Sequence, residues 1–152
     1  MKPIIGVITN ADYDFEKDRQ FSSKYEICEW IIKCGGIPVG VISPKQCNYF
    51  DKEERNRECT IENLNDLKRI IKMCDGFIKP GGYKILDYHK YIYNYCVEND
   101  VPYLGMCAGI QLMPCALENN VNLVENKNIE LHKSENPYIH SVNTLKNLIF
   151  IK

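Results

Sequence analysis

Apolar and polar residues alternate along the chain in blocks. Short continuous apolar runs are separated by stretches in which apolar residues recur at helical spacing. Apolar runs of about four to eight residues bounded by turn residues are typical of strands buried on both faces. Such runs predict four strands, at residues 3–9, 37–42, 76–79 and 102–106. Strands alternating with helices favour an α/β fold with a mostly parallel sheet and helices on both faces.

The segments between these strands predict helices. The first is expected to end at the Gly35-Gly36 pair. Its apolar residues stand three or four positions apart: Phe21, Tyr25, Cys28 and Ile32. Thr60 is a candidate N-cap for a second helix. A third helix is expected over about residues 84–98, with His89 at its surface or boundary, and a fourth over 109–117. Residues 10–17 and 43–59 are polar and are expected to form loops.

Length and charge exclude several classes of protein. A chain of 152 residues can bury a core of its own, and we predict a single domain over residues 1–152. The net charge is −1 with both signs intermixed, so no surface for nucleic acid or membrane is expected. Because no apolar run approaches the roughly 20 residues that span a bilayer, and no signal-peptide pattern opens the chain, we expect a cytoplasmic protein.

The eight cysteines form no recognisable metal-binding or disulfide pattern. None belongs to a C-x-x-C pair, and no histidine stands at the spacing of a zinc partner. We therefore predict no metal and no other cofactor. Every cysteine except Cys107 is interpreted as reduced and structural.

Cys107 follows a predicted strand and precedes a predicted helix, with Gly105 and Gly109 two residues to either side. This pattern indicates a sharp turn that presents a nucleophile, because glycines allow the strand and helix to pack closely. The N-terminus of the following helix would favour the thiolate form of the sulfur. The alternative is an ordinary buried cysteine near the end of a strand.

A second glycine-containing segment precedes this turn by about 25 residues. Gly81 and Gly82 follow Pro80 at the end of the predicted strand 76–79. Consecutive glycines leave backbone N–H groups unshielded, as a site for a developing oxyanion requires. The alternative is a plain turn in a left-handed conformation.

Together, these segments resemble the class I glutamine amidotransferase superfamily. Within it, the chain resembles most the gamma-glutamyl hydrolase branch, which includes gamma-glutamyl-gamma-aminobutyrate hydrolases. The matching segments fall in order along the chain: 2–8, 35–39, 75–82 and 102–113. The resemblance implies a three-layer, flavodoxin-like fold that lacks its usual C-terminal part, so that residues 1–152 would form a partial domain.

The resemblance also implies a Cys-His-Glu triad that hydrolyses a γ-glutamyl amide through a thioester. Cys107 would be the nucleophile, and the backbone amides of Gly82 and Ala108 would line the oxyanion hole. Gly81 and Gln111 would contribute to the substrate-binding site. The substrate would be glutamine or another small γ-glutamyl amide.

The family's general base and its carboxylate partner come from a His-Pro-Glu-like motif near the C-terminus, beyond the stretch that His140 matches. This sequence contains only His89, His132 and His140, and none is followed two residues later by Glu or Asp. We therefore expect a C-terminally truncated chain, a homodimer or a complementing second chain. The alternative is that His132 or His140 serves as the base.

Three function classes follow from these observations. The first is a cysteine-dependent amidase or glutaminase of the gamma-glutamyl hydrolase type. The second is a non-catalytic relative or truncated remnant that acts as a binding module or needs a partner chain. The third is another cysteine-elbow protein of the flavodoxin-like folds, in which a glutamate beside the cysteine sets its ionisation. Gln111 stands near Cys107 instead of such a glutamate, which argues against the third class.

Overall fold

The computed structural model describes residues 1–13, 16, 18–45, 49, 60–82 and 84–117. Within these ranges the strands are β1 (Ile4–Ile8), β2 (Asn10–Tyr13), β3 (Arg19–Ser22), β4 (Ile37–Val41), β5 (Gly76–Lys79) and β6 (Tyr103–Gly105). The helices are α1 (Tyr25–Lys33), α2 (Ile61–Ile71), α3 (Asp87–Glu98) and α4 (Ala108–Leu117). None of these helices is long and apolar enough to cross a membrane.

Some predictions concern residues outside the described ranges. Most of the polar connection predicted over 43–59 lies outside them, as do His132 and His140. The single-domain organisation over residues 1–152 therefore stays a prediction.

Four parallel strands form the central sheet in the order β4-β1-β5-β6. Successive side chains of β1 point to opposite faces of this sheet. Ile8 belongs to a core cluster with residues of α2 and α3, whereas Val7 packs with Ile27 and Ile31 of α1. The predicted α/β fold, with a mostly parallel sheet and helices on both faces, is confirmed.

The carboxyl edge of this sheet gathers three segments of the chain. From β1 the chain moves to β4 on one side and later to β5 on the other, so the strand order reverses beside β1. Asn10, residues 80–82 and Cys107 follow β1, β5 and β6 at this edge. Ligands of open α/β sheets bind at such a switch point, outside the carboxyl ends of the strands.

The predicted N-cap of α2 is confirmed. The Thr60 side chain accepts a hydrogen bond from the Asn63 backbone N–H (3.2 Å), and the Asn63 side chain accepts one from the Thr60 N–H (3.2 Å). This reciprocal pair satisfies two amides that a helix start otherwise leaves unpaired. The helix then buries Leu67 and Ile71.

The predicted apolar face of α1 is wrong. The helix begins at Tyr25 and buries Ile27 and Ile31, while Tyr25 is 73% and Ile32 58% exposed. Phe21 belongs to β3 and not to the helix. This segment contains two overlapping sets of apolar residues at helical spacing. The set that contains Ile27 and Ile31 is buried because it packs against Val7 of β1.

The polar loop predicted over residues 10–17 is also partly wrong. Its first residues form β2, which pairs antiparallel with β3 and places Asn10 opposite Ser22. The Ser22 hydroxyl donates to Asp12 Oδ2 (2.8 Å) across this hairpin. Both strands are short and polar, so the apolar pattern carries no signal for them.

His89 is fully buried, so its prediction as a surface or boundary residue is wrong. Its Nδ1 accepts a hydrogen bond from the Leu86 backbone N–H (3.1 Å), and its Nε2 lies 3.1 Å from the Thr9 carbonyl. Because a carbonyl only accepts, Nε2 carries the proton and the ring is neutral. Burial, followed by the charge of Lys79, lowers the pKa of His89 to about 3.

Acidification is expected to destabilise the fold through His89. The unfolded chain binds a proton at this residue below about pH 6.5, whereas the folded chain binds it only near pH 3. The free energy of unfolding therefore falls as the pH decreases through this window, by up to about 1.4 kcal/mol per pH unit. Urea midpoints between pH 7 and pH 4 should decline more steeply for the unmodified chain than for His89→Gln. Equal slopes would contradict this assignment.

Candidate active site

Cys107 occupies the turn between β6 and α4, and its side chain is exposed. Its φ is 51°, a left-handed conformation that costs a residue with a side chain about 1–3 kcal/mol. Such strain persists only where neighbouring contacts hold it. The Met106 N–H donates to the Lys79 carbonyl (3.0 Å), and the Ile110 N–H donates to the Cys107 carbonyl (2.9 Å).

Gly105 and Gly109 leave no room for a side chain at this turn. A Cβ on Gly105 would lie 2.5 Å from the carbonyl oxygen of Gly109. One on Gly109 would overlap the carbonyl oxygen of Lys79 and lie 3.1 Å from its Cβ. The start of α4 therefore packs directly on the backbone of β5 and β6, as the two glycines predict.

The structure brings the Gly81–Gly82 pair next to Cys107. A Cβ on Gly81 would lie 3.3 Å from Cys107 Cβ and 3.7 Å from its Sγ. At Gly82, a Cβ would lie 2.5 Å from Asn10 Oδ1. One glycine thus lies beside the cysteine, and the other lies beside the first residue of β2.

The two other predicted site residues lie at the start of α4. Ala108 is buried and is the first residue of this helix, where backbone amides have no acceptor within the helix. Gln111 lies one turn later and is exposed. Its side chain is not among those that line the cleft beside Cys107.

A cleft of roughly 1180 Å³ opens beside Cys107, Gly81 and Gly82. Its opposite wall comes from the β2–β3 hairpin and the start of α1, and its polar lining includes Asp12, Gln20, Ser22 and Glu26. Within the described ranges, no three His, Cys, Asp or Glu side chains come together as a metal site requires.

Lys79 and Asn10 are polar residues of this site that sequence reasoning missed. Lys79 is fully buried; its Nζ donates to Asn10 Oδ1 (2.6 Å) and to the Pro80 carbonyl (3.0 Å). The Asn10 Nδ2 donates to the Gly81 carbonyl (2.7 Å). Burial lowers the pKa of Lys79 to about 8, and the neighbouring Asp12 and Cys107 oppose this effect. The sequence contains one signal for this role of Lys79: a charged residue ends an otherwise apolar strand, directly before Pro80, Gly81 and Gly82.

Thr9 connects this polar group to α3. Its carbonyl accepts hydrogen bonds from the Tyr88 hydroxyl (2.7 Å) and the His89 ring. Burial raises the pKa of Tyr88, so the phenol stays protonated as this donor. The end of β1 is thereby held from the helix side, next to Asn10.

The fold and site define an α/β protein that presents a cysteine on a strained turn beside a Gly-Gly loop at the carboxyl edge of its sheet. Residues 48–150 match the family described as glutamine amidotransferase class-I. The chain belongs to this family, and its flavodoxin-like α/β architecture agrees with that membership.

Curated relatives of the chain are CTP synthases. Those of Methanosarcina mazei and Borreliella afzelii are 32% identical over 79 residues and 34% over 94, which is 51% and 53% of this chain. The enzyme of Methanosarcina acetivorans is 33% identical over 110 residues, or 70% of this chain. The matched segments cover 15%, 17% and 19% of these relatives, so this chain corresponds to less than a fifth of their length.

Adding one methyl group at Gly109 is expected to disrupt the turn. Because the new Cβ would meet the backbone of Lys79, Gly109→Ala should lower the free energy of unfolding by about 1–3 kcal/mol. Gly40→Ala is the matched control, since its Cβ would meet only Thr9 Cγ2 at 3.9 Å. The control should change stability by less than about 0.5 kcal/mol in urea denaturation. A harmless Gly109→Ala would show that α4 is not packed as described.

Proposed function

We propose that Cys107 is the nucleophile of an amidohydrolase acting on glutamine or another small γ-glutamyl amide. The observation that carries this proposal is the exposed cysteine on a strained turn, beside Gly81 at the wall of a cleft. The Cys107 sulfur attacks the γ-carbonyl carbon, and the C–N bond breaks as the nitrogen takes up a proton. The resulting thioester is cleaved by water, which yields glutamate and restores the thiol.

The backbone supplies the groups that stabilise charge in this reaction. The tetrahedral intermediate places a negative charge on the former carbonyl oxygen, and preorganised N–H donors lower the energy of that state. We assign the donors to the backbone amides of Gly82 and Ala108. Gly81 and Gln111 complete the substrate site, with Gln111 contributing from the rim because its side chain is exposed.

The gamma-glutamyl hydrolase branch is the finer part of the proposal. Its support is the ordered set of segments at 2–8, 35–39, 75–82 and 102–113. The family description, glutamine amidotransferase class-I, favours glutamine as the substrate, whereas the hydrolase branch favours γ-glutamyl amides of larger amines. Rates measured with glutamine and with γ-glutamyl-γ-aminobutyrate distinguish the two.

A histidine for proton transfer is missing from the described part of the site. His89 is the only histidine in the part of the chain that the structure describes, and both of its ring nitrogens are engaged inside the core. The base therefore comes from His132, His140 or a second chain, either a complementing polypeptide or another copy of this one. The same observation favours a second candidate function, a binding module that keeps the glutamyl pocket without turnover.

Cys107 is expected to react with a diazo-ketone analogue of glutamine. An intact mass should show one adduct per chain, because the pocket aligns the electrophile with the sulfur. Cys107→Ala should abolish the adduct, while Cys34→Ala, which removes another exposed cysteine, should leave it unchanged. An unlabelled chain, or a label lost only with Cys34, would refute the proposed nucleophile.

Ammonia release from glutamine tests the source of the base. If one of the two C-terminal histidines transfers the proton, His132→Ala or His140→Ala should lower kcat by about two to four orders of magnitude. Diazo-ketone labelling should persist in that variant. A chain that is labelled but releases no ammonia would support the binding module. Turnover unaffected by either variant would assign the base to a second chain.

A further inference from the structure

The carbonyl groups of the Gly-Gly loop are held from the buried side by two side chains. Lys79 Nζ donates to the Pro80 carbonyl, and Asn10 Nδ2 donates to the Gly81 carbonyl. The two side chains also bond to each other, from Lys79 Nζ to Asn10 Oδ1. Lys79 is fully buried, and Asn10 is 9% exposed and borders the cleft beside Cys107. We call Asn10 and Lys79 the carbonyl clamp.

Fixing a carbonyl also fixes the amide that follows it. The peptide unit is planar, and in its trans form the C=O and N–H point in opposite directions. None of the described peptide bonds is cis. The Pro80 carbonyl therefore sets the direction of the Gly81 N–H, and the Gly81 carbonyl sets that of the Gly82 N–H. Since both carbonyls point inward to the clamp, both amides point away from it.

The two glycines do not hold the loop in this arrangement by themselves. Glycine populates a wide range of backbone conformations, so two glycines in succession do not fix their own peptide planes. Gly82 fits closely against the Asn10 side chain, which excludes a Cβ at this position. Gly81 meanwhile lies beside Cys107. The clamp thus acts on peptide units beside Cys107.

We propose that Asn10 and Lys79 are positioning residues that aim the backbone amide of Gly82, one of the two proposed oxyanion donors, toward the reacting carbonyl oxygen, and that fix the preceding peptide unit between Pro80 and Gly81. This inference rests on the proposed function, because the oxyanion forms only if Cys107 attacks an amide. Lys79 serves the site twice, since its own carbonyl accepts the Met106 N–H and so holds the cysteine turn. The clamp persists when Lys79 loses its proton near pH 8, because a neutral amine retains two N–H donors.

Two substitutions test the clamp with little change of shape. Asn10→Asp retains an acceptor for Lys79 but places a second oxygen against the Gly81 carbonyl. Lys79→Met retains a long side chain and removes the hydrogen bonds to Asn10 and to the Pro80 carbonyl. The matched controls make the same exchanges at exposed positions, Asn65→Asp on α2 and Lys72→Met just after it.

Two reagents that modify Cys107 distinguish a loss of amide orientation from a change in the reactivity of the sulfur caused by the altered charge. The diazo-ketone requires an oriented carbonyl, whereas iodoacetamide alkylates a thiol without an oxyanion hole. Each clamp variant should slow diazo-ketone labelling at least tenfold, toward the roughly hundredfold loss that removal of one donor causes. Alkylation by iodoacetamide should change less than threefold, and the exposed controls should change neither rate. Equal loss with both probes, or loss with neither, would overturn the proposal.

A third measurement tests, independently of catalysis, whether the carbonyl clamp holds the loop rigid. Amide order parameters of Gly81 and Gly82 should be near the rigid value of about 0.85 in the unmodified chain and fall below about 0.6 in each variant. Unchanged order parameters would overturn the clamp even if activity fell. If the unmodified chain is not labelled, the nucleophile proposal fails, and the order parameters still show whether the clamp exists.

Discussion

The contact between Gly109 and the backbone of Lys79 is the constraint on which the site depends. It leaves no space for a side chain, so the start of α4 lies directly on β5. The same Lys79 carbonyl accepts the Met106 N–H, while the Lys79 side chain holds the Pro80 carbonyl. The cysteine turn and the Gly-Gly loop are therefore built on one residue of one strand, and their separation is fixed by backbone contacts.

A series of buried polar groups, connected by hydrogen bonds and by the chain from Thr9 to Asn10, leads from α3 to Lys79. Tyr88 and His89 bind the Thr9 carbonyl, and the next residue, Asn10, bonds to Lys79. Among the described residues, no buried side-chain nitrogen or oxygen lacks a hydrogen-bond partner. Complete pairing matters because an unpaired polar group in a core costs about 1–3 kcal/mol. The series links α3 to the loop that faces the cleft.

For the proposed reaction, these features divide the candidate site into two parts. One part is built into the sheet edge: a presented sulfur at Cys107 and a loop whose amides are directed by hydrogen bonds on their far side. The other part, proton transfer, has no histidine beside Cys107 among the residues that the structure describes, because His89 belongs to the core.

The sequence by itself determined what depends on local chemistry. Continuous apolar runs predicted the four parallel strands, Thr60 predicted the start of α2, and glycines two residues to either side of Cys107 predicted the turn. Each of these signals lies within a few residues of the feature that it specifies.

Tertiary structure alone decided which faces are buried. In α1 the sheet selected Ile27 and Ile31 over an overlapping apolar set, and in α3 it enclosed His89. Asn10 and Lys79 are 69 positions apart, and only the pairing of β1 with β5 brings them together. The periodicity of apolar residues indicates that a segment has an apolar side. It does not indicate which segment covers that side or which polar atoms that segment contributes, because both depend on contacts between residues far apart in the sequence.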